Sequence, residues 1–206
     1  VSDLADLGFD QAAMRVVPWG VEHVDVSDAD RELVRRRYDL PDRFVLFVGT
    51  IEPRKNLPRL ADAVARLDER IPLVVAGAAG WGDVAVTAPV DVRFLRFIPH
   101  GELHALYAAA SVFAYPSLQE GFGMPILEAM TSGTPVVTSQ GGATEEAAAG
   151  AAVLVDPTDT DSIAAGLVDA LARRDALAAA GRERVAGATW AAAAEGTLAA
   201  YREVLA

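Results

Sequence analysis

Six short apolar runs, separated by Gly- and Pro-bearing turns and helical patterns, limit this chain to very few folds. They are Phe44–Val48, Leu73–Ala76, Val92–Ile98, Val112–Tyr115, Pro135–Thr138 and Ala152–Val155. Most are continuous rather than alternating, as expected of strands covered on both faces. Between them, helical patterns occupy Leu57–Asp68, Gly101–Ala109, Pro125–Ser132 and Thr144–Ala148. Strands alternating with helices of this length predict a parallel sheet wound by right-handed crossovers, a doubly wound α/β domain with helices on both faces.

The flanks read differently. Met14–Val17, before Pro18, suggests one more short strand, and a polar segment follows over Val24–Tyr38. Beyond Asp156-Pro157 the chain is helical and Ala-rich, with apolar positions at Ile163, Leu167, Val168 and Leu171. Gly181 and Gly187 punctuate it, and a last helix is expected over about 189–206 with Thr189 as N-cap. A single domain spanning 1–206 is the expectation, with roughly 70% of the unfolded surface buried.

Composition narrows the function classes. Apolar residues make up 52% and charged residues 23%, a globular balance that excludes a mainly disordered chain. The formal net charge of -11 repels phosphate backbones and anionic lipid at a distance, and no basic patch offsets it. Neither nucleic acid nor direct membrane binding is therefore expected. Cys is absent, which removes disulfides, thiolate nucleophiles and Cys-based metal sites. The longest uncharged run, Ala129–Thr144, is broken by Ser, Gly and Pro, so no membrane span is read. Val1-Ser2-Asp3-Leu4 has no basic or apolar leader pattern, which predicts no signal peptide and a cytoplasmic location. The missing initiator Met is expected of a fragment.

Two loops at the carboxyl ends of predicted strands stand out, where ligands bind in open parallel sheets. The first is Gly49-Thr50-Ile51-Glu52-Pro53-Arg54-Lys55-Asn56, with Asn56 read as the N-cap of the next helix. Two cations before a helix N-terminus are disfavoured by the helix dipole unless an anion joins them, so Arg54 and Lys55 are candidate phosphate ligands. Two solvated surface cations are the competing reading. The second loop runs Tyr115-Pro116-Ser117-Leu118-Gln119-Glu120-Gly121-Phe122-Gly123-Met124-Pro125 into a helix carrying Ile126 and Glu128. Pro125 suits the first helical position, and Gly121 and Gly123 allow positive φ and close approach to a ligand. The N–H groups of Phe122–Met124 and Ile126 are expected to face something electron-rich. Glu120 and Glu128 suit hydroxyl recognition, since an ionised carboxylate accepts two hydrogen bonds and a vicinal diol donates two. A dipole-favoured helix acid and a surface acid are the plainer alternative.

Glu120 and Glu128, within Glu-Gly-Phe-Gly-Met-Pro-Ile-Leu-Glu, resemble the E-x7-E motif of retaining glycosyltransferases of family 4. The Val48–Asn56 segment is similar to that family's phosphate loop, and further matches follow in order at Leu73–Gly77, Ala108–Phe113, Gly133–Val137 and Gly141-Gly142. The resemblance runs from about Val16 to the C-terminus. It implies one Rossmann-like lobe of a two-lobed GT-B fold, the donor-binding one, with about 1–40 leading in from the inter-lobe region and the N-terminal acceptor lobe absent. Through that missing lobe, a membrane-peripheral location is implied. Lys55 and Arg54 would neutralise a nucleotide diphosphate, and Glu128 would bind the ribose. Glu120, with the N–H groups of Gly121, Phe122, Gly123 and Met124, would hold the donor sugar. Gly49, Thr50 and Gly77 would lie beside the donor, and Phe97 and Ile98 would flank the base. Many relatives carry a basic residue where this chain has Thr50, so Arg54 either replaces that charge or points to solvent.

The implied reaction transfers a sugar from a GDP-, UDP- or dTDP-linked donor with retention of configuration. The loop beginning Gly49-Thr50 resembles mannosyltransferases that use GDP-mannose. Leaving-group stabilisation by Lys55, Arg54 and a helix N-terminus is the main catalytic contribution, and Glu120 is expected to position the sugar rather than attack it. A nucleotide-sugar 2-epimerase and a binding module without turnover are the alternatives. No cofactor and no metal are expected. His100 and His104 are four apart, but they read as a helix start and a helix surface rather than zinc ligands. Asp28-Ala29-Asp30 and Asp159-Thr160-Asp161 read as N-cap acids, and Trp190 and Tyr201 as packing residues.

Overall fold

The computed structural model describes residues 2–82 and 84–205. Each apolar run yields one strand: β1 Val45–Val48, β2 Leu73–Ala76, β3 Val92–Arg96, β4 Val112–Tyr115, β5 Val136–Ser139 and β6 Val153–Val155. All neighbours pair in parallel, in the order β3-β2-β1-β4-β5-β6. Strands β2, β4 and β5 are buried at every position, and β1 at all but Val48, which is why their sequences are continuous and apolar. Each fully covered Val, Leu or Phe contributes about 1.5–3 kcal/mol, so these central runs carry most of the core.

The helices are α1 Ser2–Asp6, α2 Asp28–Arg37, α3 Leu57–Val64, α4 His100–Ala109, α5 Met124–Thr131, α6 Gly142–Ala148, α7 Thr160–Ala172, α8 Arg174–Val185 and α9 Trp190–Leu205. Helix α3 packs against α7, which also reaches β4, β5 and β6, while α4 and α5 pack together with α2 and α8 outside them. The doubly wound layering is thus present.

Several local readings change. Met14–Val17 joins no strand; it lies along α9, where a Cβ on Gly196 would meet Val17 at 3.1 Å and Arg15 Nε donates to Glu203 at 2.6 Å. The polar Val24–Tyr38 segment contains α2, started by a capping box between Ser27 and Asp30, so Ser27 rather than Asp28 is the N-cap. Asp159 does cap α7, accepting from Asp161 N at 2.9 Å, and Thr189 Oγ1 caps α9 by accepting from Ala192 N at 3.1 Å. Strand β3 stops at Arg96 because that residue adopts φ 58°, and α3 stops at Val64, short of Asp68. Gly181 does not interrupt the chain: it lies inside α8, where a Cβ would come within 3.1 Å of Met130. Trp190 and Tyr201 are exposed rather than packed.

Candidate functional site

From β1 the chain builds outward through β2 to β3, then returns to lay β4, β5 and β6 on the other side. The carboxyl ends of β1 and β4 therefore flank the point where the winding reverses, and a crevice opens there. The loop after β1 turns at Gly49 and forms one 3-10 turn over Pro53–Lys55. The loop after β4 leads through Glu120 into α5, with Gly123 at φ 94° just before the helix. That left-handed conformation strains any residue with a Cβ, whereas Gly121 has ordinary φ and open space around it.

Hydrogen bonds tie the β1 loop to the loops after β4 and β6. Leu118 N donates to Arg54 O at 2.7 Å, and Asn56 Nδ2 donates to Pro116 O at 2.9 Å and to Pro157 O at 2.7 Å. Asn56 is thus not the side-chain cap its position suggested. It sits left-handed at φ 62°, and its amide ties the β1 loop to the β4 and β6 loops. Pro125 takes the second rather than the first position of α5.

The resulting cleft, of about 660 Å³, is lined by Gly49, Thr50, Glu52, Arg54, Lys55, Tyr115, Glu120, Gly121, Phe122, Gly123, Met124, Pro125 and Trp19. At its floor Lys55 Nζ donates to Glu120 Oε1 at 2.7 Å and to the Tyr115 hydroxyl, and lies 4.7 Å from the Tyr115 ring centre. Arg54 donates to Glu120 Oε2 at 2.8 Å and to Glu52 Oε1 at 2.6 Å. Lys55, Glu52 and Glu120 are almost fully covered, while Arg54 stays 41% exposed on the side chain and turns into the cleft. Burial works against the ionised Glu120 carboxyl, but the bonds from Lys55 and Arg54 prevail and hold it below its usual range. The Tyr115 phenol is pushed far above its usual range by burial and by the nearby Glu120 charge. Burying Lys55 with two carboxylates costs the fold several kcal/mol before pairing offsets it, which marks a site more than a stability device.

Above this floor, the N–H groups of Gly121, Phe122, Gly123 and Met124 have no acceptor among the described residues. The expected fifth, Ile126 N–H, is taken by Gly123 O at 2.9 Å, and the Ile126 side chain is fully buried. Gly77 lies behind the cleft rather than in it: a Cβ there would fall 2.0 Å from Gly49 O, so its role is close packing of the two strand ends. Phe97 (76% exposed) and the buried Ile98 do not line the cleft; they follow β3 and lead into α4. Glu128 lies one turn beyond Met124 on the same face of α5 and accepts from the Tyr107 hydroxyl at 2.9 Å. Burial raises its carboxyl above the usual range, although the Tyr107 bond opposes this. On α4, His100 Nε2 pairs with Glu22 at 2.7 Å, and His104 is buried against Ser132 at 3.2 Å rather than lying on the helix surface. Among the described residues no three His, Asp or Glu side chains are grouped to hold a metal.

Glu52, Tyr115 and Trp19 were not anticipated. An acid beside two cations reads as a solvated surface, and Tyr115 reads as strand core; the Glu-Pro-Arg-Lys charge alternation was the available signal for Glu52. Nothing local announces Trp19, whose indole meets the Phe122 ring at 5.3 Å between centres.

The family model for group 1 glycosyl transferases matches residues 30–184, a span that contains both loops, the cleft cations and Glu128. The chain belongs to the group 1 glycosyl transferases. It is 38% identical to O-antigen chain mannosyltransferase B of Escherichia coli, over 73% of this chain and 42% of that protein. It is 36% identical to the D-inositol 3-phosphate glycosyltransferase of Geodermatophilus obscurus, over 94% of this chain and 48% of that one. The chain thus spans less than half the length of either relative. Among solved structures, sucrose-phosphate synthase from Thermosynechococcus elongatus superposes with a TM-score of 0.79 at 29% identity, covering 93% of this chain and 52% of that one. Anabaena HepE, in complex with UDP and glucose, gives 0.84 at 20% identity over 98% of this chain and 60% of that one, a likeness of fold. The Rossmann-like lobe of a GT-B fold is what this group 1 chain presents. No helix among the described residues is long and apolar enough to cross a membrane.

Proposed function

We propose that the chain is the donor-binding lobe of a retaining glycosyltransferase that moves a sugar from a nucleotide diphosphate sugar to an acceptor held by a separate N-terminal lobe. The observation that carries this is the convergence of Arg54, Lys55 and Glu120 beneath the unpaired N–H groups of Gly121–Met124, at the carboxyl ends of β1 and β4. Cations at a cleft floor suit a diphosphate, and their value grows as the departing phosphate gains charge in the transition state. The N–H groups suit the sugar's hydroxyl oxygens. A cleft of about 660 Å³ accommodates a diphosphate with its sugar. Arg54 turns into the cleft beside Thr50, which supports it as the replacement for the basic residue missing there.

Both Glu120 oxygens accept charged hydrogen bonds, which lowers their nucleophilicity and supports a positioning role for this carboxylate. Glu128, one turn along α5 and outside the cleft lining, takes the ribose hydroxyls, and the base extends beyond the cleft toward the β3–α4 connection that carries Phe97 and Ile98. Neither cofactor nor metal is needed for these roles. Mannose is the favoured sugar, because the β1 loop resembles mannosyltransferases and the E. coli relatives bear that name.

The test is product analysis on the polypeptide that joins this lobe to its N-terminal partner. GDP-mannose is expected to support transfer more rapidly than UDP-glucose, with the product anomer unchanged by NMR. An inverted product, a covalent sugar adduct on Glu120, or an epimerised nucleotide sugar without transfer would overturn the proposal.

A further inference from the structure

We infer that Tyr107 is a positioning residue for the ribose contact, an inference that rests on the assignment of Glu128 to the ribose. Tyr107 lies on α4, is fully buried, and packs its ring edge-on against Phe113 at 5.2 Å between centres. That ring packing needs no hydroxyl. The hydroxyl is therefore an added cost, since burying an unpaired O–H is unfavourable, and the bond to Glu128 Oε2 at 2.9 Å compensates it. Glu128 is costly in turn, because a half-buried carboxylate on α5 serves packing less well than an apolar residue. Neither member of the pair is what the fold alone would select.

The pair does fix one carboxylate in space. Burial and the adjacent Glu128 charge hold the Tyr107 phenol protonated, so it donates and Glu128 accepts. The backbone of α5 is pinned nearby, with Glu128 O accepting from the Thr131 and Ser132 hydroxyls at 2.9 Å each. On the α4 side, Thr134 Oγ1 donates to Tyr107 O at 2.7 Å. Glu128 Oε2 is thus held from the protein side. Oε1 has no partner among the described residues and is not sealed from solvent. A carboxylate held through one oxygen and open at the other meets a diol without first losing its rotamer freedom, the preorganisation that raises affinity. Tyr107 reaches the nucleotide only through Glu128.

The experiment measures ribose recognition rather than stability. Calorimetry on the 206-residue chain compares GDP with 2′,3′-dideoxy-GDP, and UDP with 2′,3′-dideoxy-UDP, for the unaltered protein, Tyr107→Phe and Glu128→Gln. The unaltered chain is expected to prefer the ribonucleotide by about tenfold or more in its better-bound series, as paired hydroxyls on a charged acceptor imply. Tyr107→Phe should shrink that preference about fivefold while leaving dideoxynucleotide affinity within about twofold, and Glu128→Gln should abolish it. A purely structural hydroxyl would shift the melting temperature and both ligands alike. A preference that survives Tyr107→Phe overturns the inference while leaving Glu128 in place. An unaltered chain with no preference removes Glu128 from the ribose, and Tyr107 with it.

Discussion

Glu120 and Glu128 share one motif and have opposite acid–base behaviour. Glu120 sits below its ordinary value, so the folded state holds this proton less tightly than the unfolded chain. Its stabilisation is complete above the ordinary carboxylate value of 4.5 and is lost as pH falls through the lower folded value. Glu128 is raised by burial, so the folded state holds its proton longer, and the stability it costs appears as pH rises. Glu120→Gln is expected to flatten the loss of melting temperature on acidification below about pH 4.5; an unchanged acid limb would show that the Lys55 and Arg54 bonds do not act on folding. At this scale the sequence was informative about charge and silent about partnership. Arg54, Lys55, Glu120 and Glu128 were legible because their spacing matches a family pattern. The capture of both cations by Glu120 and Glu52 was not, since it depends on how two loops separated by more than sixty residues meet.

Among the elements, the strands were the most legible, because burial on both faces writes itself into continuous apolar runs. Helix α2 was not: only Val34 of its residues is buried, so its polar sequence shows little of the face that packs on α4. Asn56 shows the same limit in a loop. Its place before α3 was legible, yet a left-handed backbone and two carbonyl partners replace the capping role. These facts separate two substitutions. Asn56→Gly keeps the backbone conformation and loses only the amide bonds, about 1–2 kcal/mol. Asn56→Ala adds left-handed strain of about 1 kcal/mol and should be the less stable of the two by urea unfolding. Equal losses would mean that this backbone conformation stores no strain. Both variants should also weaken diphosphate binding, because Asn56 follows Lys55 directly and ties its loop to that of Glu120.

For the whole molecule, a chain of net charge -11 sets two cations against two carboxylates on the floor of one cleft, a locally neutral place in an acidic protein that suits an anionic small molecule better than a polyanion. The lead-in segment is part of this arrangement. Trp19 lines the cleft, Val21 N donates to Ala188 O at 2.9 Å, and a Cβ on Gly20 would fall 2.2 Å from the backbone N of Trp190. Gly20→Ala is expected to cost about 1–3 kcal/mol by urea unfolding, since backbone cannot yield as a side chain does. A loss under about 0.5 kcal/mol would mean that the lead-in does not rest on α9. None of this docking was legible in the sequence, where the segment reads as a stray strand; its partners lie at the far end of the chain. The measurement that bears most directly on the assigned site is a thermal-unfolding titration of the chain with GDP, UDP, dTDP and ADP, repeated in Lys55→Ala and Glu128→Ala. One diphosphate at 100 times its dissociation constant should stabilise the unaltered chain by about 2.7 kcal/mol and lose that effect in both variants. Equal stabilisation of the unaltered chain and both variants would place the nucleotide elsewhere and contradict the assignment.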